Sequence, residues 1–469
     1  MGANVMGKIH SFFAQKLVLP LYDLIKGTSR FKLRHVLEKT QWFPKQDIER
    51  LQIRNLRMLL RHAYKTVPYY HRIFKSRGFS PDNVMSIKDL EKLPILTKAD
   101  IRKHFKELLS INYPKKKLIL SQSGGTGDQI WFYVTREQIS WEIAAEFRAY
   151  KWANYNFGDR CIIFWGSLID LAKTTKLIKR LTNFLENVAV LNTYIMLSDE
   201  ILDKYVLFMR KFNPEIIRGY ANSIYMIAKY ILEKGIKYAH PKSVITTAET
   251  LLDFQRKTIE EAFNCPVFDY YGSREIGSIA AECNIHNGYH ISAENVVLEC
   301  VKDGQQVSPG ESGEILITSL RNYGMPFIRY AIGDVGKLSD DDCACGRGLP
   351  LLDSIEGRVS QFMSIFDKKL GKIVPVSTAG PGLFGGALMY LPIERYRIIQ
   401  ESLDKIIIVA VKGRNYTQKH TELLVEHIRK FLGDNVTLEI KFVDYLPPLP
   451  SGKRSVFISR INPFRAVQE

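Results

Sequence analysis

Between residues 161 and 270 short apolar runs alternate with longer segments of helical periodicity, an order that points to βαβ units and a largely parallel sheet. The runs fall at 161–165, 188–191, 215–219, 243–247 and 266–270, and helices are predicted at 136–152, 222–234 and 251–263. Ligands of such sheets sit outside the carboxyl ends of the strands. That rule puts Ala248-Glu249 and Tyr271-Gly272-Ser273-Arg274-Glu275 on loops along one edge. Residues 290–338 then change to β-rich alternation, and 405–410, 420–432 and 436–442 read as strand, helix and strand. The expected class is α/β: a large unit, 1–357, with a parallel βαβ sheet and a β-rich subdomain, then a small α+β unit, 358–469.

Ahead of the alternating region lies Ser121-Gln122-Ser123-Gly124-Gly125-Thr126-Gly127-Asp128, with the aromatic run Trp131-Phe132-Tyr133 behind it. A short strand ending at Leu120 and a returning strand from Trp131 make this a hairpin with a glycine-rich tip. Gly124, Gly125 and Gly127 permit positive φ and a close approach of backbone to ligand, and neighbouring hydroxyls add donors. Such a tip can cradle phosphate oxygens; an ordinary polar turn has the same composition.

A chain of 469 residues exceeds the size at which a single core stops growing. With 66 Lys+Arg against 49 Asp+Glu, its net charge of +17 favours anionic partners. The basic residues are dispersed, and neither zinc-finger spacing nor an aromatic RNA-binding motif occurs, which argues against nucleic acid. No apolar run reaches the length of a membrane span, and Lys8, Lys16 and Asp23 interrupt anything resembling a secretory leader, so cytoplasmic residence is expected. Residues 1–40 mix apolar pairs with basic side chains. That pattern fits a helix packed on the domain behind it, or peripheral association with a membrane surface.

Taken in order, the motifs resemble the adenylate-forming superfamily, in particular its branch of phenylacetate-CoA ligases and capsular-polysaccharide CapK-like proteins. Residues 61–70 and Leu93-Pro94-Ile95-Leu96-Thr97-Lys98 resemble N-terminal signatures of that branch. Ser123-Gly124-Gly125-Thr126-Gly127 is similar to the phosphate loop, and Tyr271-Gly272-Ser273-Arg274-Glu275 to the adenine and metal motif. Residues 325–334, ending in Asp334, resemble the ribose motif; Gly357-Arg358 resembles the interdomain hinge, and Pro450-Ser451-Gly452-Lys453 the catalytic-lysine loop. The resemblance implies a carboxylate joined to ATP as an acyl-adenylate, then passed to a thiol such as coenzyme A or to an amine. It also implies a mobile small domain, with Lys453 stabilising charge at the α-phosphate and Glu275 holding Mg²⁺. In the same scheme Tyr271 stacks on adenine, Asp334 accepts the ribose hydroxyls and Arg358 contacts ribose or phosphate. Departures are Asp128 and Gln129 where a lysine and a proline are common, Ile332 for threonine, and Ser360 for the hinge aspartate.

Cys283-x-x-His286 and Cys343-x-Cys345 together offer three thiolates and an imidazole, a set suited to a closed tetrahedral zinc site of structural role. Free cysteines in loops are the plainer interpretation. Cys161, Cys265 and Cys300 lie in or beside apolar strands and read as core residues. Retention of Glu275 and Lys453 weighs against a third possibility, a non-catalytic scaffold in a membrane-associated glycan-assembly complex. Neither the carboxylate nor the acceptor is legible.

Overall fold

The structure is a computed structural model, and it describes residues 19–123, 129–165, 177–193, 199–236, 241–359, 362–367, 372–377, 391–432, 436–446, 457–461 and 464. The strands that flank the glycine-rich run are described: β1 (Leu118–Gln122) pairs antiparallel with β2 (Trp131–Thr135), Gln122 opposite Trp131. Five strands follow with helical crossovers. They are β3 (Cys161–Trp165), β4 (Val188–Asn192), β5 (Ile216–Tyr220), β6 (Ser243–Thr247) and β7 (Val267–Ser273). They lie in the parallel order β4-β3-β5-β6-β7. All five residues of β6 are buried, as expected of a strand covered on both faces.

The direction reverses at β8 (Gly277–Glu282), antiparallel to β7. The β-rich stretch continues that same sheet through β9 (Tyr289–Ile291), β10 (Val296–Lys302), β11 (Gln305–Gln306), β12 (Gly313–Ser319), β13 (Tyr330–Ser339) and β14 (Leu351–Arg358). One twelve-stranded sheet results, ordered β11-β10-β12-β13-β14-β9-β8-β7-β6-β5-β3-β4. β14 reaches Arg358, so the residues read as a hinge close a strand of the large sheet before the chain leaves it.

Helix Lys45–Thr66 buries Ile48, Gln52, Asn55, Leu56, Leu59, Leu60 and Ala63, a stripe at helical spacing. Thr97 caps helix Lys98–Lys103 reciprocally: its hydroxyl accepts from the Asp100 amide at 3.1 Å, and Asp100 Oδ2 accepts from the Thr97 amide at 2.9 Å. The extended piece before that cap lies on β13, with the Leu96 amide donating to Arg329 O and the Ala331 amide to Leu96 O, each at 3.0 Å. Behind it Arg329 and Glu299 form a buried pair, Nη2 to Oε1 at 3.0 Å with both side chains 1% exposed. The Arg329 fork also donates to Leu93 O and Gly304 O, both at 2.7 Å. Near the N-terminus Asp23 accepts from Arg30 Nε at 2.6 Å and the Phe31 amide at 2.8 Å, docking helix Leu19–Lys26 on its neighbour, while Leu21 and Leu24 stay exposed. Among the described residues no helix is long and apolar enough to cross a membrane.

Beyond Val359, β15 (Phe362–Asp367) and β16 (Lys372–Ser377) form a hairpin. A second sheet has the order β19-β18-β17-β20, from β17 (Ile393–Ser402), β18 (Lys405–Lys412), β19 (Thr437–Phe442) and β20 (Phe457–Ser459). Met363, Ile398, Ile406, Ile408, Leu424, Ile428 and Phe457 make its core with helix Gln418–Leu432. The Gln400 amide binds the Ser364 backbone both ways, at 2.9 and 2.8 Å, and so holds the hairpin to this sheet. Farther on, Phe464 returns to the large sheet. It is buried with Val335 and Val359, and its carbonyl accepts from the Asp303 amide at 2.8 Å.

Candidate active site

The expected site residues collect on the large sheet where β7 and β14 finish and beside the first half of β13, which runs antiparallel to β14. Asp334 and Arg358 are register partners across β13 and β14, Arg358 Nε standing 3.0 Å from Asp334 Oδ1. Tyr271, near the end of β7, donates its hydroxyl to the other carboxylate oxygen at 2.7 Å. Gly333 carries φ +87 directly before Asp334, a backbone geometry in which a side chain would be strained. Burial, then the Asp334 carboxylate, pushes the Tyr271 phenol well above its usual range, so it stays a donor. Asp334 in turn holds the Arg358 guanidinium in its charged form. That side chain is 45% exposed and also donates from Nη1 to Ile332 O at 3.2 Å.

Glu275 sits in the turn between β7 and β8, 7% exposed. The Tyr330 hydroxyl donates to its Oε1 at 3.2 Å, leaving Oε2 as the oxygen that could face a metal ion. Gln138 fixes the backbone of the turn, its Nε2 donating to Glu275 O at 3.1 Å and to Glu142 Oε1 at 2.6 Å. Gly277, at φ +84, lies so close that a Cβ there would fall 2.2 Å from Glu142 Cγ. Desolvation raises the Glu142 carboxyl to about 8, so at neutral pH this support is largely uncharged. Gln138, Glu142 and Tyr330 carry no role in the motif reading. Two polar residues four apart on a helix normally read as a solvated face, so spacing alone gives no signal for the first two.

Of the other expected contacts, Gly124, Gly125, Thr126, Gly127 and Lys453 lie outside the described residues. Ser123 is fully buried, its Oγ accepting from the Ile130 amide at 2.9 Å, so its hydroxyl is engaged within the protein. Gly272 and Ser273 complete β7; a Cβ on Gly272 would meet Gly277 O at 2.8 Å, and Ser273 Oγ accepts from the Ile276 amide at 3.2 Å. Ala248 adopts φ +66 just beyond β6, and Glu249 accepts from the Asn222 amide at 3.0 Å, against the N-terminus of helix Ala221–Glu233.

The Cys/His expectation needs one correction. Cys283, Cys343 and Cys345 do converge, but the imidazole among them belongs to His290: all four ligand atoms lie within 4.8 Å of one another. His286 points elsewhere, with φ +55, its Nδ1 3.3 Å from Glu282 Oε2 and its ring 4.6 Å from that of Phe268. A turn closed by the His286 amide on Cys283 O, 3.1 Å, swings residue 286 away, and β9 then returns His290 beside Ala281.

The CapK C-terminal domain family model matches residues 387–460. Protein CapK of Staphylococcus aureus is 27% identical over 470 residues, spanning 98% of this chain and 96% of that protein. Phenylacetate-coenzyme A ligase of Thermus thermophilus is 24% identical over 340 residues, 69% of this chain and 73% of its own. Among solved structures, 2-hydroxyisobutyryl-CoA ligase in the postadenylation state superposes with a TM-score of 0.63 at 18% identity, covering 92% of this chain and 93% of that one. The fold is thus that of the adenylate-forming ligases. Within that class the chain is homologous to CapK and to the phenylacetate-CoA ligases.

Proposed function

We propose that the chain is an ATP-dependent, AMP-forming acyl ligase. The observation that carries this reading is the Tyr271–Asp334–Arg358 triangle standing beside the Glu275 turn. Asp334 then accepts from the ribose hydroxyls, with Arg358 and Tyr271 holding it against rotation. Tyr271 offers its ring to adenine, and the backbone of residues 124–127 receives the phosphates. A carboxylate oxygen of the substrate attacks the α-phosphorus, an acyl-phosphate bond forms, and pyrophosphate leaves. Lys453, carried by the small unit 358–469, stabilises the charge that builds in this step. Glu275 would hold Mg²⁺, which when bound neutralises phosphate charge.

In the second half-reaction a nucleophile attacks the acyl carbonyl and expels AMP. Coenzyme A is the favoured acceptor, on the strength of the phenylacetate-CoA ligase homologues. An amine of a sugar precursor is the alternative, favoured by the near full-length similarity to CapK and placing the reaction in surface polysaccharide biosynthesis. We assign the reaction to the cytoplasm, where ATP and coenzyme A are supplied; for residues 1–40 packing on the domain is the favoured reading, and peripheral membrane contact the alternative.

The test is carboxylate-dependent ATP–pyrophosphate exchange over a broad carboxylate panel, run on the full chain beside Lys453→Ala. Exchange with at least one carboxylate, abolished by the substitution, is expected. No pyrophosphate chemistry with any carboxylate would favour a scaffold, and wild-type exchange by Lys453→Ala would remove Lys453 from the mechanism.

A further inference from the structure

We propose that Cys283, His290, Cys343 and Cys345 bind one zinc ion in a closed structural site. The spacing of the ligand atoms suits a single tetrahedral ion. Cys283 Sγ and Cys343 Sγ are 3.7 Å apart, and Cys345 Sγ is 3.2 Å from His290 Nε2. Metal–sulfur bonds of about 2.3 Å at tetrahedral angles place neighbouring sulfurs about 3.8 Å apart.

The histidine is also presented in the required tautomer. His290 Nδ1 lies 3.4 Å from Leu349 O, and a carbonyl only accepts, so the proton belongs on Nδ1 and the Nε2 lone pair faces the sulfurs. Donors converge on the thiols as they do on metal-bound thiolates. The Ile285 amide points at Cys283 Sγ at 3.5 Å, the Cys345 amide at Cys343, and both the backbone and the side chain of Arg347 at Cys345.

Burial decides between a structural and a catalytic ion. Cys283 and His290 are 1% exposed and Cys343 6%, and four protein ligands complete the tetrahedron, so no coordination position remains for a substrate.

The ion would add a crosslink between neighbouring strands and the connection that leads from β13 to β14. Cys283 follows β8, His290 lies in β9, and Cys343 and Cys345 belong to the connection between β13 and β14. Two residues past Cys345, Arg347 packs between the rings of Trp42 and Trp152, 4.8 and 4.9 Å from their centroids, and donates to Gln41 Oε1 at 3.0 Å. The metal loop is thereby keyed to the N-terminal helices. β14 starts at Leu351, the register partner of His290, and finishes at Arg358, the partner of Asp334. Metal at one end of that strand therefore sets its seating at the other.

This assignment is independent of the proposed reaction, and its test does not use activity. The full chain is purified under reducing conditions without chelator and its metal measured by mass spectrometry; one zinc per chain is expected. Cobalt(II) substitution should give thiolate charge-transfer bands and the intense visible bands of a tetrahedral site. His290→Ala should lower zinc content at least fivefold, whereas His286→Ala retains one equivalent. Should His290→Ala not fold, thiol titration of the native wild-type protein before and after chelation replaces it, with three further thiols reacting once zinc is removed. A folded wild-type chain without zinc, iron in its place, or equal metal loss in both histidine variants would overturn the proposal.

Discussion

Asp334 and Arg358 face each other as register partners across β13 and β14, and while their 3.0 Å ion pair holds one carboxylate oxygen, the Tyr271 hydroxyl donates to the other. Arg358→Lys keeps the charge but loses the planar fork. A charge-assisted hydrogen bond contributes about 1.5–3 kcal/mol, so the KM for ATP should rise at least about tenfold with the melting temperature nearly unchanged. Steady-state pyrophosphate release checks this; an unchanged KM would remove Arg358 from nucleotide binding.

Gly277 is a position where only glycine fits, because its φ is +84 and a Cβ would overlap Glu142 Cγ. Gly277→Ala should displace the turn that carries Glu275 and abolish adenylation while the chain still folds. Adding Glu142→Ala opens the space, so the double variant should melt higher than Gly277→Ala alone. Thermal melts beside exchange assays measure both, and a fully active Gly277→Ala would refute the role given to this contact.

The Arg329–Glu299 pair is buried on both sides. Arg329→Met strands a carboxylate in the core, which costs about 3–5 kcal/mol. Urea denaturation should register that loss, and Glu299→Leu added to it should recover part. A loss below about 1 kcal/mol would mean that water reaches Glu299.

Asp269 supplies a pH signature. Burial, against the Thr246 hydrogen bond, raises its carboxyl to about 6 from an ordinary 3.8. The folded state therefore keeps a proton that the unfolded chain releases. Its contribution is full below about pH 4 and lost as pH rises through about 6. Asp269→Asn should become progressively more stable relative to wild type across that window, then level off, in melts taken at half-unit steps. A constant difference would exclude the assignment. Asp89 acts oppositely: the Lys92 hydrogen bond lowers it to about 2, and its contribution is lost as pH falls towards that value.

How much of this was legible in the sequence depends on how local each cause is. β3 and β6 coincide with the predicted runs 161–165 and 243–247, because a strand buried on both faces is written either as an uninterrupted apolar run, as in β3, or as the small and β-branched run Ser-Val-Ile-Thr-Thr of β6, with no charged residue in either. The Thr97–Asp100 cap is equally local. Spacing favours His286, three residues after Cys283, over His290; the turn after Cys283 reverses that choice. Gln138 and Glu142 look like solvated helix residues until Gly277 is brought against them, a contact across more than 130 positions of chain. The continuation of the parallel sheet into its antiparallel half depends likewise on which edge β8 adds to, a choice made by packing.

Phe464 gives the small unit a second fastening. The chain leaves the large sheet through Val359 and comes back to the same spot at Phe464, so everything between is a loop closed by a hydrophobic clasp. Burying a phenylalanine contributes about 1.5–3 kcal/mol. Any swing of the four-stranded sheet that opens the clasp is therefore disfavoured by about ten- to a hundredfold.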